Sequence, residues 1–285
     1  MSETIEKTFN VSSPAKLEIC NIRGSVDIHR GEDSVIQVTA VKQPNSGDEK
    51  NTVIEITQNA DGKVRAVTRF PDGSWNWLFG SHPSEVNYLV TAPQQCSITL
   101  KGVSNSVRVE GIEGDASVNS VSGDIELRNL KGSMRIHTVS GDVEGDQISG
   151  TLDLVTVSGD TVLRQSALSS IKANSISGDV QIFTPLNEGP YNFRSVSGQV
   201  HLTVPADSKC TGELHTVSGD LESAFPNTSY SRHHGRQMVQ VQGGGVIISL
   251  RSVSGDLILD TDGEIPPAAE PGRTSTMEER RAVLD

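Results

Sequence analysis

The chain has 285 residues, a formal net charge of -12, 27 glycines and only 4% aromatic residues. A charge of that sign disfavours nucleic acids and anionic membranes, which want Lys/Arg patches, so neither is expected as a partner. No apolar run reaches the roughly 20 residues that cross a bilayer, and the opening MSETIEKTFNVSS has no apolar core of a signal peptide. The three cysteines, Cys20, Cys96 and Cys210, are odd in number and far apart. They read as small buried hydrophobes in a reducing, cytoplasmic setting, with no disulfide framework or metal site.

Residues 1–102 read as irregular N-terminal strands that start a larger body. Alternating apolar residues mark strands at residues 35–38, 53–56 and 86–90. Within this part, residues 21–28 (NIRGSVDI) already carry the grammar of the repeat described next, with Gly24 in its glycine slot. Both tryptophans, Trp75 and Trp77, lie with Phe79 in a turn-rich segment, residues 71–80. They suggest either a docking surface for a partner or a plug over one end of the body.

Residues 103–262 are dominated by iteration. Seven variants of Ser/Thr-Val-Ser-Gly-Asp begin at Ser120, Thr138, Thr156, Ser175, Ser195, Thr216 and Ser252, with Ile176 and Gln199 as the departures. Their second positions are Val121, Val139, Val157, Ile176, Val196, Val217 and Val253, spaced 18, 18, 19, 20, 21 and 36 residues apart. A period near 20 signals one supersecondary unit stacked on itself. The fold class is therefore all-β, a single parallel β-solenoid with coils of about 18–21 residues.

Within one coil, Val121, Gly123, Ile125 and Leu127 share a parity, as do Met134 and Ile136 after a turn at Lys131-Gly132. Alternation of this kind marks half-buried strands. It predicts that the seven Val/Ile positions point inward and stack along one axis. Gly123, Gly141, Gly159, Gly178, Gly198, Gly219 and Gly255 fill one slot that needs positive φ or excludes a Cβ. The double-length last step implies an inserted loop at 224–245, read as an extra hairpin or a coil with a long excursion. Residues 263–285 read as a Pro-rich linker and a short C-terminal helix opened by a capping box at Thr276.

The iterated Ser/Thr-Val-Ser-Gly-Asp-Val, together with the opening at residues 17–26 and the strand at residues 86–93, resembles the bacterial "putative adhesin" or β-strand repeat-containing family. That resemblance implies a β-helix and brings no catalytic residues. The tail from Thr276 looks like the start of a short helical C-terminal motif, here truncated.

Candidate sites are few. Asp124, Asp142, Asp160, Asp179, Asp220 and Asp256, interrupted by Gln199, would form an outward carboxylate ladder. Such a ladder either collects Ca²⁺, or each aspartate accepts backbone N–H bonds at its own bend. His233-His234 reads as solvated, and His137, His201 and His215 fall on different coils. No catalytic or phosphate-loop motif is present, so neither an enzyme nor a cofactor is expected. The leading functional expectation is a non-enzymatic scaffold that meets a protein partner or associates with itself. A bactofilin-like filament, which bare terminal coils would favour, is a second reading. A β-helix protein that binds or processes polysaccharide, requiring a carboxylate-lined cleft, is a third.

Overall fold

The computed structural model describes residues 3–70, 82–233 and 235–261. The described residues form one sheet of 21 strands and no helix. β1 (Glu3–Asn10), β2 (Ala15–Arg30), β3 (Val35–Lys42), β4 (Val53–Gln58), β5 (Val64–Arg69) and β6 (Val86–Ala92) form the N-terminal part. The coil stack follows as β7 (Cys96–Glu110), β8 (Ala116–Ser122), β9 (Ile125–Ser140), β10 (Val143–Ser158), β11 (Thr161–Arg164), β12 (Ala167–Ser175), β13 (Val180–Phe183), β14 (Tyr191–Arg194) and β15 (Val200–Val204). It ends in β16 (Cys210–His215), β17 (Leu221–Ser223), β18 (Thr228–His233), β19 (Arg236–Val241), β20 (Val246–Arg251) and β21 (Leu257–Thr261).

The expected parallel stacking is present. Ile125 pairs with Val143, Val143 with Thr161, Thr161 with Val180 and Val180 with Val200, each one coil further along. Inward residues of successive coils stack into one apolar core, including Ile125, Leu127, Met134, Ile136, Leu152, Leu154, Ile171 and Phe193. Each such side chain removes roughly 1.5–3 kcal/mol of apolar exposure. The stack also begins earlier than its motif suggests. β2 is already a full coil, paired with β7 from Ala15–Cys96 to His29–Glu110, although 81 residues separate the partners.

The structure corrects three expectations. First, the body is not wholly parallel. β1 pairs antiparallel with β3, β3 with β6, and β4 with β5 at one end; β19 pairs antiparallel with β16 and β18 at the other. Residues 224–245 thus supply a hairpin, one of the two options. β5 and β6 thus cover both halves of the first coil, β2, and β19 covers the β16 half of the last one, while among the described residues β17 pairs with β21 alone.

Second, the coils do not follow chain order. β20–β21 lies between β14–β15 and β16–β17, parallel to both. The Val253 coil therefore separates the Val196 coil from the Val217 coil. The 36-residue step is a return into the stack, made through a crossing at residues 242–245 in which Gly243 and Gly244 have φ of 87° and 86°.

Third, the seven Val/Ile positions point outward. Val121, Val139, Val157, Ile176, Val196, Val217 and Val253 are 38–88% exposed, although they stack in register as expected. The glycine two residues on explains the error. At φ between 107° and 143°, Gly123, Gly141, Gly159, Gly178, Gly198 and Gly219 turn the backbone out of the pleat, so parity does not carry from Val121 to Ile125. Gly255 lacks positive φ but is held by contact: a Cβ there would meet the Gly198 carbonyl oxygen at 2.3 Å. The predicted C-terminal helix and linker, and the segment holding Trp75, Trp77 and Phe79, lie outside the described residues.

Candidate functional site

Three devices recur where the coils turn their corners. The Ser/Thr that opens the motif is the inward member: Ser120, Thr138, Thr156 and Ser175 are buried. In four coils its hydroxyl donates to the carbonyl two residues on: Ser120 Oγ to Ser122 O (3.1 Å), Thr138 Oγ1 to Ser140 O (3.4 Å), Thr156 Oγ1 to Ser158 O (3.3 Å) and Thr216 Oγ1 to Ser218 O (2.8 Å), whereas the Ser175, Ser195 and Ser252 hydroxyls make no such bond. The next residue is consequently swung outward. The glycine then lets one coil settle on the next at a distance no side chain permits.

The aspartates provide the third device. Asp124 Oδ1 accepts the Asp142 N–H (3.1 Å), Asp142 the Asp160 N–H (2.8 Å), Asp160 the Asp179 N–H (2.8 Å) and Asp179 the Gln199 N–H (2.8 Å). Asp256 Oδ1 accepts the Asp220 N–H at 2.9 Å, again skipping chain order. These bonds run to the adjacent coil and not to N–H groups at the aspartates' own bends, the expectation from sequence, so the ladder is a set of ties between coils. Gln199 interrupts the carboxylates where the returning coil docks, and its amide donates to Asp256 Oδ2 at 3.3 Å. Among the described residues no group of three or more His, Cys, Asp or Glu side chains gathers as a cation site.

These corners leave a continuous aliphatic ridge. In spatial order it runs Ile22, Val103, Val121, Val139, Val157, Ile176, Val196, Val253 and Val217, one residue per coil. Ile22 is half-buried and the other eight are exposed, Val217 at 88%. At ~4.8 Å per coil, those eight span roughly 34 Å. The main chain beneath is fixed by bonds between coils, such as Ser177 N to Val157 O and Ser254 N to Val196 O, both 2.9 Å. A continuous apolar feature of this length exceeds the scattered exposed aliphatics normal on a protein surface. The motif announced these residues, but parity assigned them to the core.

The remaining residues follow ordinary chemistry. Cys96 and Cys210 are buried, Cys20 is half-buried, and all three thiols are free. Burial pushes Cys96 up to about 12 and Cys210 up to about 11, so neither forms a thiolate near neutrality. His201 faces Asp260 at 3.3 Å, and His233 is exposed. Near the N-terminal end, buried Asn21 bonds Val86 O (2.8 Å) and accepts from Thr68 (3.0 Å), which also contacts Tyr88 OH (2.8 Å). One groove runs along Ser97, Thr99, Asp115, Ser117 and Arg135. It offers a single carboxylate, not the pair that glycoside hydrolysis requires.

Glu18 is set among three cations: it touches Lys63, with Lys101 at 3.6 Å and Arg65 at 3.8 Å. The hydrogen bond from Lys63 holds its carboxyl below the ordinary value, against an opposing push from burial. A depressed carboxylate stabilises the fold above its unfolded pKa, and that contribution disappears as pH falls through the folded value. Glu18→Gln should therefore lower Tm by about 2–4 °C at pH 7, the scale of about 1 kcal/mol in a chain of this size. The difference between variant and wild type should shrink towards zero in thermal melts near pH 3.

The sequence matches the family described as Toastrack DUF4097 over residues 15–260, which includes every coil of the stack. Solved structures similar to this chain include one described as a putative adhesin from Bacteroides fragilis, at 11% identity and TM-score 0.48, covering 90% of this chain and 97% of that one. Another described as a putative adhesin, from Parabacteroides distasonis, has 7% identity and TM-score 0.41, with 90% and 97% coverage. A third so described, from Parabacteroides merdae, has 10% identity and TM-score 0.39, with 91% and 96% coverage. No curated protein matches.

Proposed function

The chain belongs to the Toastrack DUF4097 family, and from that premise we propose that it is a non-enzymatic scaffold whose aliphatic ridge docks a protein partner or a second copy of itself. The observation that carries the reading is the ridge: eight exposed Val/Ile side chains, one per coil, in unbroken register. A rod that repeats one contact every ~4.8 Å adds weak interactions over a long line. The eight side chains together expose on the order of 600 Å², close to the ~800 Å² that each partner commonly contributes to a stable interface. The free thiols support a reducing, cytoplasmic setting.

The test is the triple change Val139→Thr, Val157→Thr and Ile176→Thr. These sites are exposed, so Tm should stay within about 3 °C of wild type, as expected for surface substitutions. Sedimentation of the wild type should show concentration-dependent association, or its affinity capture should hold a defined partner, and the triple variant should lose that association. A folded triple variant that keeps the wild-type associations would exclude the ridge as the docking face. The inward neighbour is the contrast: Ile136→Ala should cost about 2–5 kcal/mol through the cavity it leaves.

A further inference from the structure

One sheet face at the C-terminal end carries a basic row that chain order conceals. Register sets Arg194 on β14 beside Arg251 on β20, Arg251 beside His215 on β16, His215 beside Arg236 on β19, and Arg236 beside His233 on β18. Five successive strands at ~4.8 Å place the row over roughly 19 Å. His215 is half-buried and the other four residues are exposed.

The row lacks matching acid. Of the described residues that share this face on β14, β20, β16, β19 and β18, Glu213 is the one carboxylate, and Arg236 holds it at 2.6 Å. Several other arginines face acids directly, although among the described residues Arg30 and Arg135 do not: Arg23 faces Glu85 at 2.9 Å, Arg69 faces Glu55 at 2.9 Å and Arg108 faces Glu126 at 2.6 Å. Arg194 and Arg251 make no ion pair among the described residues and stand directly opposite one another. Like charges opposite each other destabilise a sheet. Here they do so in a chain with a net charge of -12, where acids are plentiful.

We propose that Arg194 and Arg251, with His215 alongside, form a binding site for a phosphoryl group. Charge decides the class. Two uncompensated guanidinium groups are neutralised by a dianion, whereas a carboxylate would neutralise one. Each guanidinium presents a planar fork that matches the oxygens of a tetrahedral oxyanion. The site is independent of the ridge. Arg251 belongs to the returning coil and Arg194 to the coil it docks on, so a bound phosphoryl group would also clamp that junction.

The experiment measures thermal melts of the full chain in inorganic phosphate, sulfate and acetate at matched ionic strength. Phosphate should raise Tm by several degrees and saturate, and acetate should not. The double variant Arg194→Gln, Arg251→Gln should lose the phosphate response while its Tm without phosphate stays at or above that of the wild type, because the repulsion is gone. Lys172→Gln, on the neighbouring β12, should leave the response intact. A wild-type shift that fails to saturate, an equal shift in acetate, or an undiminished shift in the double variant would overturn the site. In a saturable wild type, competition by soluble phosphoserine identifies a free or peptide-borne phosphoryl group as the source. Retention on phosphatidic acid vesicles, without that competition, identifies a lipid headgroup.

Discussion

Gly141→Val should remove more than about 4 kcal/mol of stability, lowering Tm by more than about 10 °C or preventing folding. Two effects add at this position. The residue sits at φ +125°, a conformation L side chains rarely adopt, and any Cβ there would lie 2.3 Å from the Gly123 carbonyl oxygen. The obstruction is backbone and cannot rotate away. Relief would require the coils to part, yet bonds such as Ile125 N to Asp142 O at 2.9 Å hold them at this spacing. Gly123 and Gly159 make the same contact below and above, so strain at one corner passes to its neighbours. The control is Gly62→Val. Gly62 has φ +80° but nothing within 4 Å of the added carbon, so it should show conformational strain alone, about 1–2 kcal/mol and a Tm loss of about 2–8 °C. Equal losses in the two variants, measured by thermal melting, would mean that the close approach of coils does not set the glycine requirement.

The same corner shows what the sequence could and could not disclose. Period, register and the glycine slot were legible because each coil must present the same chemistry to the coil below. Alternation along Ile125, Leu127, Met134 and Ile136 located the core correctly, since a strand has only two faces. Parity failed across Ser-Gly because positive φ resets the pleat, so Val121 and its equivalents were assigned inward. The signal that could have corrected this was Thr138 and its counterparts: a small hydroxyl residue that can bond its own bend suits the crowded inner position better than the valine beside it. The period placed Asp124 and Asp142 on adjacent coils, but the aspartate bonds were assigned to their own bends, because nothing local shows that the nearest free N–H lies one coil away.

Spatial order at the C-terminal end was not legible. The motifs at Val217 and Val253 are chemically interchangeable, and nothing local distinguishes a coil that adds to the end from one that enters the stack. For the same reason the basic row was invisible: Arg194, Arg251, His215, Arg236 and His233 become neighbours only once β20 lies between β14 and β16. The hairpin at the end is similar. Its composition marked a polar excursion, but its pairing with β16 depends on which edge the returning coil leaves free.

That returning coil should control the stability of the whole C-terminal end. Ile248, Leu250, Leu257 and Leu259 are each fully buried between the coils on either side. Removing them forfeits about 6–12 kcal/mol at roughly 1.5–3 kcal/mol per side chain, comparable to the whole stability of an ordinary domain. Leu250→Asp combined with Leu257→Asp adds two buried charges to that loss and should expel the coil. The two neighbouring coils could then meet directly, since Tyr191 and Gly212 both register with Ile248, and Val200 and Leu221 both register with Leu257. Such closure would stack bulky Tyr191 on a glycine and forfeit the Asp256–Asp220 tie, so it should not restore native stability. Because each coil of a solenoid contacts only its neighbours, damage should stay local. Amide exchange of the double variant should show protection lost across β14–β21 and retained in β7–β10, where Ile125–Val143 pairing is untouched. Uniform loss along the chain would instead make the returning coil a determinant of the entire fold, and an unchanged pattern would mean that β20–β21 is not wedged between its neighbours at all.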